Sequence, residues 1–208
     1  EKILSAFSNG EADVLIGTQM IVKGHDFPKV TLVGILAADL SLNASDYRAG
    51  ERTFQLLTQA VGRAGRGALP GEAVIQTYQP DHYAITCAAA QDYKSFYEEE
   101  ILYRELSGYP PAAHMLAVQI YGKEEENVKQ LAQRLADVVK SNMDFLQILG
   151  PTPANISKIN DIYRYVFYAK HAEYDTLVAV KDCVEETLRQ WQPRQLSIQF
   201  DFDPVNVL

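Results

Sequence analysis

At residues 108–111 the chain reads GYPP, and the hydrophobic pattern differs on its two sides. Two adjacent prolines remove two backbone donors and push the residue before them toward extended conformations. A domain boundary is therefore expected there. Upstream, the apolar residues come in short unbroken runs: DVLIG at 13–17, VTLVGIL at 30–36 and EAVIQTY at 72–78. Runs of that kind fit strands of a parallel sheet buried on both faces. Between the last two lies DYRAGERTFQLLTQAVGRAG, in which Phe54, Leu57 and Val61 recur at helical spacing and Asp46 is placed to cap the start. Strand, crossover, strand, helix, strand is the plan of an α/β parallel sheet.

Downstream the rhythm changes. Strands are predicted at 114–122, 145–151, 161–170 and 196–204, with amphipathic helices at 124–141 and 173–191. That order, β-α-β-β-α-β, is the ferredoxin-like plan. Residues 81–107 read as one or two helices. The expected organisation is thus an α/β unit over 1–80, a helical connector over 81–113 and a ferredoxin-like α+β domain over 114–208.

Composition narrows the function classes. No apolar run in the 208 residues approaches the 18 needed for a membrane helix. Cys87 and Cys183 stand far apart without neighbouring histidines, which fits two free thiols and no zinc site. No metal ligand set is expected. The net charge is −8, so any nucleic acid must be touched by local basic residues rather than by a basic surface. The acidity is uneven: residues 1–79 hold seven Lys or Arg against eight Asp or Glu, and the excess of acid lies further on. The acidic triplets 98–100 and 124–126 read as solvated helix faces, and His82, His114 and His171 as structural residues at element edges. The first residues read as a helix leading into a strand, with no initiator methionine, so a piece of a longer protein is expected.

Chemistry concentrates in QAVGRAGRG, residues 59–67. Read as a continuing helix, the segment puts Arg63 and Arg66 on one face with Gln59 a turn below, and its glycines remove bulk beside them. Paired guanidinium groups match phosphate geometry and keep their charge, so they can neutralise a phosphoryl group in transfer. A second cluster follows the first apolar run: Gly17, Thr18 and Gln19, then Lys23, Gly24, His25 and Asp26. In open α/β sheets ligands bind beyond the carboxyl ends of the strands. Thr18 could hold a phosphate there, Gly24 could admit close backbone approach and Asp26 could accept a ribose hydroxyl.

TQMIVKGHDFP resembles motif V of superfamily-2 helicases, and QAVGRAGRG resembles their motif VI. LAADLSLNASDYRAGERTFQLLTQAVGRAGRG, the GYPP break, ILGPTPANISKINDIYRYVFYAK and the closing DFDP are similar to the primosomal replication-restart DNA helicases, over essentially the whole chain. The resemblance implies a partial second RecA-like lobe followed by a ferredoxin-like domain. It implies a 3′-to-5′ ATP-dependent DNA helicase that recognises stalled or repaired forks and starts primosome assembly. Arg63 and Arg66 would then reach ATP, Gln59, Asp26 and Gly24 would serve the nucleotide, and Thr18 would hold a DNA phosphate. ATP and Mg²⁺ would be the cofactors of the complete enzyme, with zinc in a cysteine-rich module that has no counterpart here. Forked DNA, single-stranded DNA-binding protein and primosome proteins would be the partners, in the bacterial cytoplasm near the nucleoid.

In the C-terminal part, Lys158 and Arg164 beside Tyr163, Tyr165 and Tyr168 are candidates for a local DNA contact. Two other readings stay open on the residues: a noncatalytic DNA-binding scaffold with a helicase-like lobe, and another superfamily-2 nucleic-acid helicase. The 208 residues contain no GxxxxGK[ST] loop and no DExH-type acidic pair after a strand. The purified 208-residue chain is therefore expected to hydrolyse no ATP. DNA-stimulated phosphate release from it above the buffer blank would contradict this.

Overall fold

In the computed structural model the described residues are 2–21, 27–44, 46–65 and 70–205, and they divide into two units, 1–100 and 101–208. The first unit begins with α1 (Lys2–Asn9), a short 3₁₀ turn (Gln19–Ile21), β1 (Leu32–Ile35), α2 (Asp39–Leu42), α3 (Ala49–Val61) and β2 (Glu72–Ile75). It continues with α4 (Tyr83–Ala90) and most of α5 (Tyr93–Ser107). Among the described residues β1 pairs with β2 in parallel, Leu32 opposite Glu72 through Ile35 opposite Ile75. Helix α3 is the crossover that such a connection requires.

The helix forms where the apolar spacing placed it. Its buried positions are Ala49, Thr53, Phe54, Leu57 and Ala60, one stripe at three- and four-residue steps. Asp46 does not cap α3: the N-cap position is Arg48, with no side-chain cap bond, and Asp46 instead accepts the Arg48 N–H on Oδ1 at 3.0 Å and pairs its Oδ2 with Arg52 at 2.7 Å. Phe54 stacks on Phe96 with centroids 4.0 Å apart, which brings α5 onto the same core as Ala84, Ile85 and Ala88 of α4. The helices expected as a connector thus contribute core residues to the first unit.

Two local expectations are corrected here. Residues 13–17 are not a strand; Val14 and Ile16 are 72% and 88% exposed. An unbroken apolar run signals a strand only where partner strands cover it, and among the described residues none pairs with this one. The triplet 98–100 is not uniformly solvated either. Glu98 and Glu99 are exposed, whereas Glu100 is buried and accepts the Tyr83 hydroxyl at 2.6 Å. Gly50 makes room for that pair, since a Cβ there would lie 2.8 Å from the Tyr83 hydroxyl and 2.9 Å from Glu100.

The second unit contains β3 (His114–Gly122), α6 (Glu125–Asn142), β4 (Gln147–Ile159), β5 (Ile162–His171), α7 (Tyr174–Trp191) and β6 (Leu196–Phe202). Its sheet order is β4-β5-β3-β6, with every neighbour antiparallel. One sheet face presents Leu116, Val118 and Ile120 of β3 with Tyr165, Phe167 and Ala169 of β5. Against it pack Val128, Leu131, Leu135 and Val139 of α6 and Leu177, Val180 and Val184 of α7. Burying each of the larger side chains contributes about 1.5–3 kcal/mol, so this face carries most of the unit's cohesion.

Strand β4 is longer than the predicted 145–151. It continues past Pro151 and Pro153 because it is an edge strand, where a missing donor costs no ladder bond, and its register shifts on either side of Pro153. It returns through Asn160 and Asp161, both with positive φ, so that Ile159 pairs with Ile162. This is the two-residue hairpin turn that asparagine and aspartate favour. The closing DFDP sequence ends the sheet. Asp203 accepts the Met115 N–H at 2.8 Å and meets His114 Nδ1 at 2.9 Å, which ties the end of β6 to the start of β3.

His82 caps α4, its Nδ1 accepting the Ala84 N–H at 3.2 Å. Burial holds this imidazole below the usual histidine value, with the Glu100 carboxylate opposing part of the effect. A depressed folded-state value means that the unfolded chain binds the proton more readily. The stabilisation is therefore full above the ordinary value near 6.5 and is lost as pH falls below it and the acceptor nitrogen is protonated. His82→Asn keeps a capping acceptor that does not titrate. Its stability should fall by about 1 kcal/mol less than wild type between pH 7.5 and pH 5, the worth of one N-cap, as read from urea midpoints at each pH.

Candidate functional site

Helix α3 ends at Val61, and the chain from Gly62 to Gly65 is a turn. The N–H groups of Gly62, Arg63 and Ala64 donate back to Thr58, Ala60 and Val61. Gly65 then takes φ +69°, a region open to glycine at little cost, and its N–H donates to the Val30 carbonyl at 3.1 Å. Val30 in turn donates to Phe27, and Glu72 donates to Thr31 at 2.8 Å. Phe27 sits edge-on to Phe7 of α1, centroids 5.1 Å apart. The end of α3, the entry to β1 and the entry to β2 therefore meet at one place.

The glycines have a different use from the one the sequence suggested. A Cβ on Gly65 would lie 2.6 Å from the Gly71 nitrogen, and one on Gly71 would meet the Gly65 nitrogen in turn. The two backbones touch, and only a pair without side chains allows it. Arg63 is consequently half-buried in a turn, not on the face of a continuing helix, so the shared-face argument for Arg63 and Arg66 does not hold. Gln59 is exposed on the last turn of α3. Thr18 is exposed, and its carbonyl accepts the Ile21 N–H at 3.1 Å. Arg66, Gly24 and Asp26 lie outside the described residues.

The arginine turn sits at the amino ends of β1 and β2. At their carboxyl ends is a group that sequence reasoning missed. Asp39 is buried; its Oδ1 accepts the Thr77 hydroxyl at 2.6 Å and its Oδ2 accepts the Tyr78 N–H at 2.9 Å. These bonds, the Thr77 hydroxyl first, hold the carboxyl below the ordinary aspartate value. Thr77 also accepts the Gln79 N–H at 2.9 Å, so the loops after the two strands are stitched together. The available signal was a lone acid directly after an apolar strand.

In the second unit the register separates the two expected DNA contacts. Lys158 is opposite Tyr163, on the helix-covered side, and Arg164 is opposite Tyr121, on the other. Lys158 pairs with Asp161 at 3.0 Å and lies 4.7 Å from the Tyr163 ring centroid. Its hydrogen bonds to Asp161 and Tyr163 raise its basicity above the lysine norm. The Arg164 guanidinium lies 5.6 Å over the Tyr121 ring. Both cations stand at the hairpin end of the sheet but not on one face. Tyr165 and Tyr168, on opposite faces of the strand, are both buried. Among the described residues no group of three or more His, Cys, Asp or Glu could hold a metal ion, and no helix is long and apolar enough to cross a membrane.

Residues 1–68 match the helicase conserved C-terminal domain, and residues 105–205 match the primosomal protein N C-terminal domain. The chain thus pairs a helicase conserved C-terminal domain with the primosomal protein N C-terminal domain, in a mixed α/β fold. Replication restart protein PriA of Bacillus subtilis is 43% identical over 206 residues, 98% of this chain and 26% of its own length. The protein of that name from Synechocystis is 38% identical over 99% of this chain and 24% of its own, and that from Treponema pallidum is 34% identical over all of this chain and 32% of its own. The chain belongs to the replication restart PriA family and carries its C-terminal domain. It spans about a quarter of the length of the first two relatives. A solved de novo designed protein, Foldit4, matches 45% of this chain at 13% identity and TM-score 0.36, a likeness too slight to identify a fold.

Gly65→Ala tests the junction. The substitution forces alanine into left-handed backbone and drives its Cβ against Gly71. Gly10→Ala meets the same backbone penalty at φ +79° with nothing within 4 Å. The Gly10 variant should lose about 1–2 kcal/mol and the Gly65 variant measurably more, by chemical denaturation. Equal losses would show that the close approach is not needed.

Proposed function

We propose that the chain is the C-terminal part of an ATP-dependent 3′-to-5′ DNA helicase that recognises stalled or repaired replication forks and initiates primosome assembly. The first unit is read as a partial RecA-like lobe, and the second as a ferredoxin-like domain, from its β-α-β-β-α-β order and its sheet order β4-β5-β3-β6. The observation that supports the reading is the Gly65–Val30 hydrogen bond, which holds the motif VI turn at the entry to β1, two residues after the motif V segment.

From that point Arg63 and Arg66 are the groups to face the phosphates of ATP held mainly by another lobe. Bound ATP, with Mg²⁺, supplies the phosphoanhydride whose cleavage drives the cycle. The chain's own part is electrostatic. The arginines counter the negative charge that builds on the transferring phosphoryl group, and they do so only when the lobes close. Gln59, Gly24 and Asp26 serve the nucleotide side of the same junction, and Thr18 holds a DNA phosphate. Lys158 and Arg164 contact DNA from the two faces of the hairpin end. Forked DNA, single-stranded DNA-binding protein and primosome proteins are the partners, in the cytoplasm at the nucleoid.

In the complete protein, Arg66→Ala should lower DNA-stimulated kcat for ATP by about 10²–10³-fold, the usual cost of removing a charge-stabilising donor. Fork-DNA affinity, measured separately by anisotropy, should stay within about threefold, since a phosphate contact to nucleotide is not one to DNA. An unchanged kcat removes the arginine from the mechanism.

A further inference from the structure

Lys170 is the least expected cation in the second unit. It lies on β5 opposite Met115 and Gln147, and only 4% of its surface is exposed. Its ammonium donates to the Ser107 carbonyl at 2.6 Å and rests 3.8 Å from the centroid of the Tyr109 ring. Among the described residues it has no carboxylate partner. A buried ammonium without a counter-charge is costly, and a carbonyl dipole and a ring face offset only part of that cost. Burial accordingly pushes its basicity below the lysine norm.

The ammonium is not walled in. It lines an open cavity of about 550 Å³ together with Tyr103, Leu106, Ser107, Tyr109 and Gln147. Gly108, also on the lining, has φ +62°, and a Cβ there would stand 4.0 Å from Lys170 Nζ and 3.9 Å from Gln147 Oε1, in ordinary contact with both. Tyr103 and Tyr109 stack with centroids 6.4 Å apart, and Tyr103 and Leu106 remain 44% and 81% exposed. The other charge on the lining is Glu105, an exposed acid at the rim.

We propose that this cavity binds a singly charged oxyanion, a carboxylate or a phosphodiester, on Lys170, with the uncharged part of the ligand lying on Tyr103 and Leu106. The charge count favours a monoanion. One buried cation satisfies one negative charge, and Glu105 at the rim repels a second. The Gln147 side chain, next to Lys170 in the register, offers an amide donor for the remaining oxygen. Nothing in this depends on the helicase reading, because every residue belongs to the second unit.

The test uses the 208-residue chain with isotopically labelled lysine and follows the Lys170 ε-carbon by NMR. The probes are acetate, dimethyl phosphate and inorganic phosphate at pH 7.5. Acetate or dimethyl phosphate should give a saturable shift, and whichever binds more tightly names the source of the oxyanion. Lys170→Met should weaken that binding by at least about tenfold. If that variant does not fold, the wild-type titration decides. An anion paired with Lys170 stabilises its charged form, so the midpoint of its pH titration must rise when the probe is saturating. Shifts that do not saturate, tighter binding of the dianionic phosphate, or an unmoved midpoint would each overturn the proposal and leave Lys170 as a strut for the Ser107–Tyr109 turn.

Discussion

The first unit depends on one backbone contact, the approach of Gly65 to Gly71 with the Gly65 N–H on the Val30 carbonyl. It holds the turn that follows α3 against the entries of β1 and β2. It works because neither glycine carries a side chain and because Gly65 can hold a positive φ.

The opposite end of the same sheet is organised by a buried charge. Asp39 accepts from Thr77 and Tyr78 and so couples the loops that leave β1 and β2. A carboxylate in that position is tolerable because its oxygens meet donors, and the bonds that satisfy it also favour its ionised form. The lobe is therefore clamped at both ends of its strands, by glycine contact at one and by a satisfied acid at the other. The second unit uses another means. Its cohesion comes from an apolar sheet face under two helices, while the other face carries Arg164 with the buried Gln119 and Lys170.

Much of this was legible in the chain. Periodic segments were read well: the stripe of Phe54 and Leu57 located α3, and the strands predicted at 114–122 and 161–170 match β3 and β5 to within a residue or so. Local chemistry served less well: Asp46 binds the turn ahead of α3 but is not its N-cap. The failures share a cause. DVLIG at 13–17 has the composition of a buried strand, but pairing is a property of neighbours. Glu100 looks like part of a solvated run until Tyr83 arrives from another helix. The helical face assumed for Arg63 and Arg66 failed because Gly65 leaves the helix to reach Val30, a residue 35 positions earlier.

The sequence by itself determined the kinds of most elements, the end of the helix before GYPP and the two arginine- and glycine-bearing motifs, because periodicity, turn chemistry and spacing are local properties; the division into units falls earlier, after Glu100. Tertiary structure alone decided which end of the strands the arginine turn occupies, that Lys158 and Arg164 take opposite sides of one sheet, and that Lys170 is buried beside an open cavity. Those outcomes depend on contacts between distant residues, and the strength of such contacts is set by burial and register that no stretch of chain carries within itself.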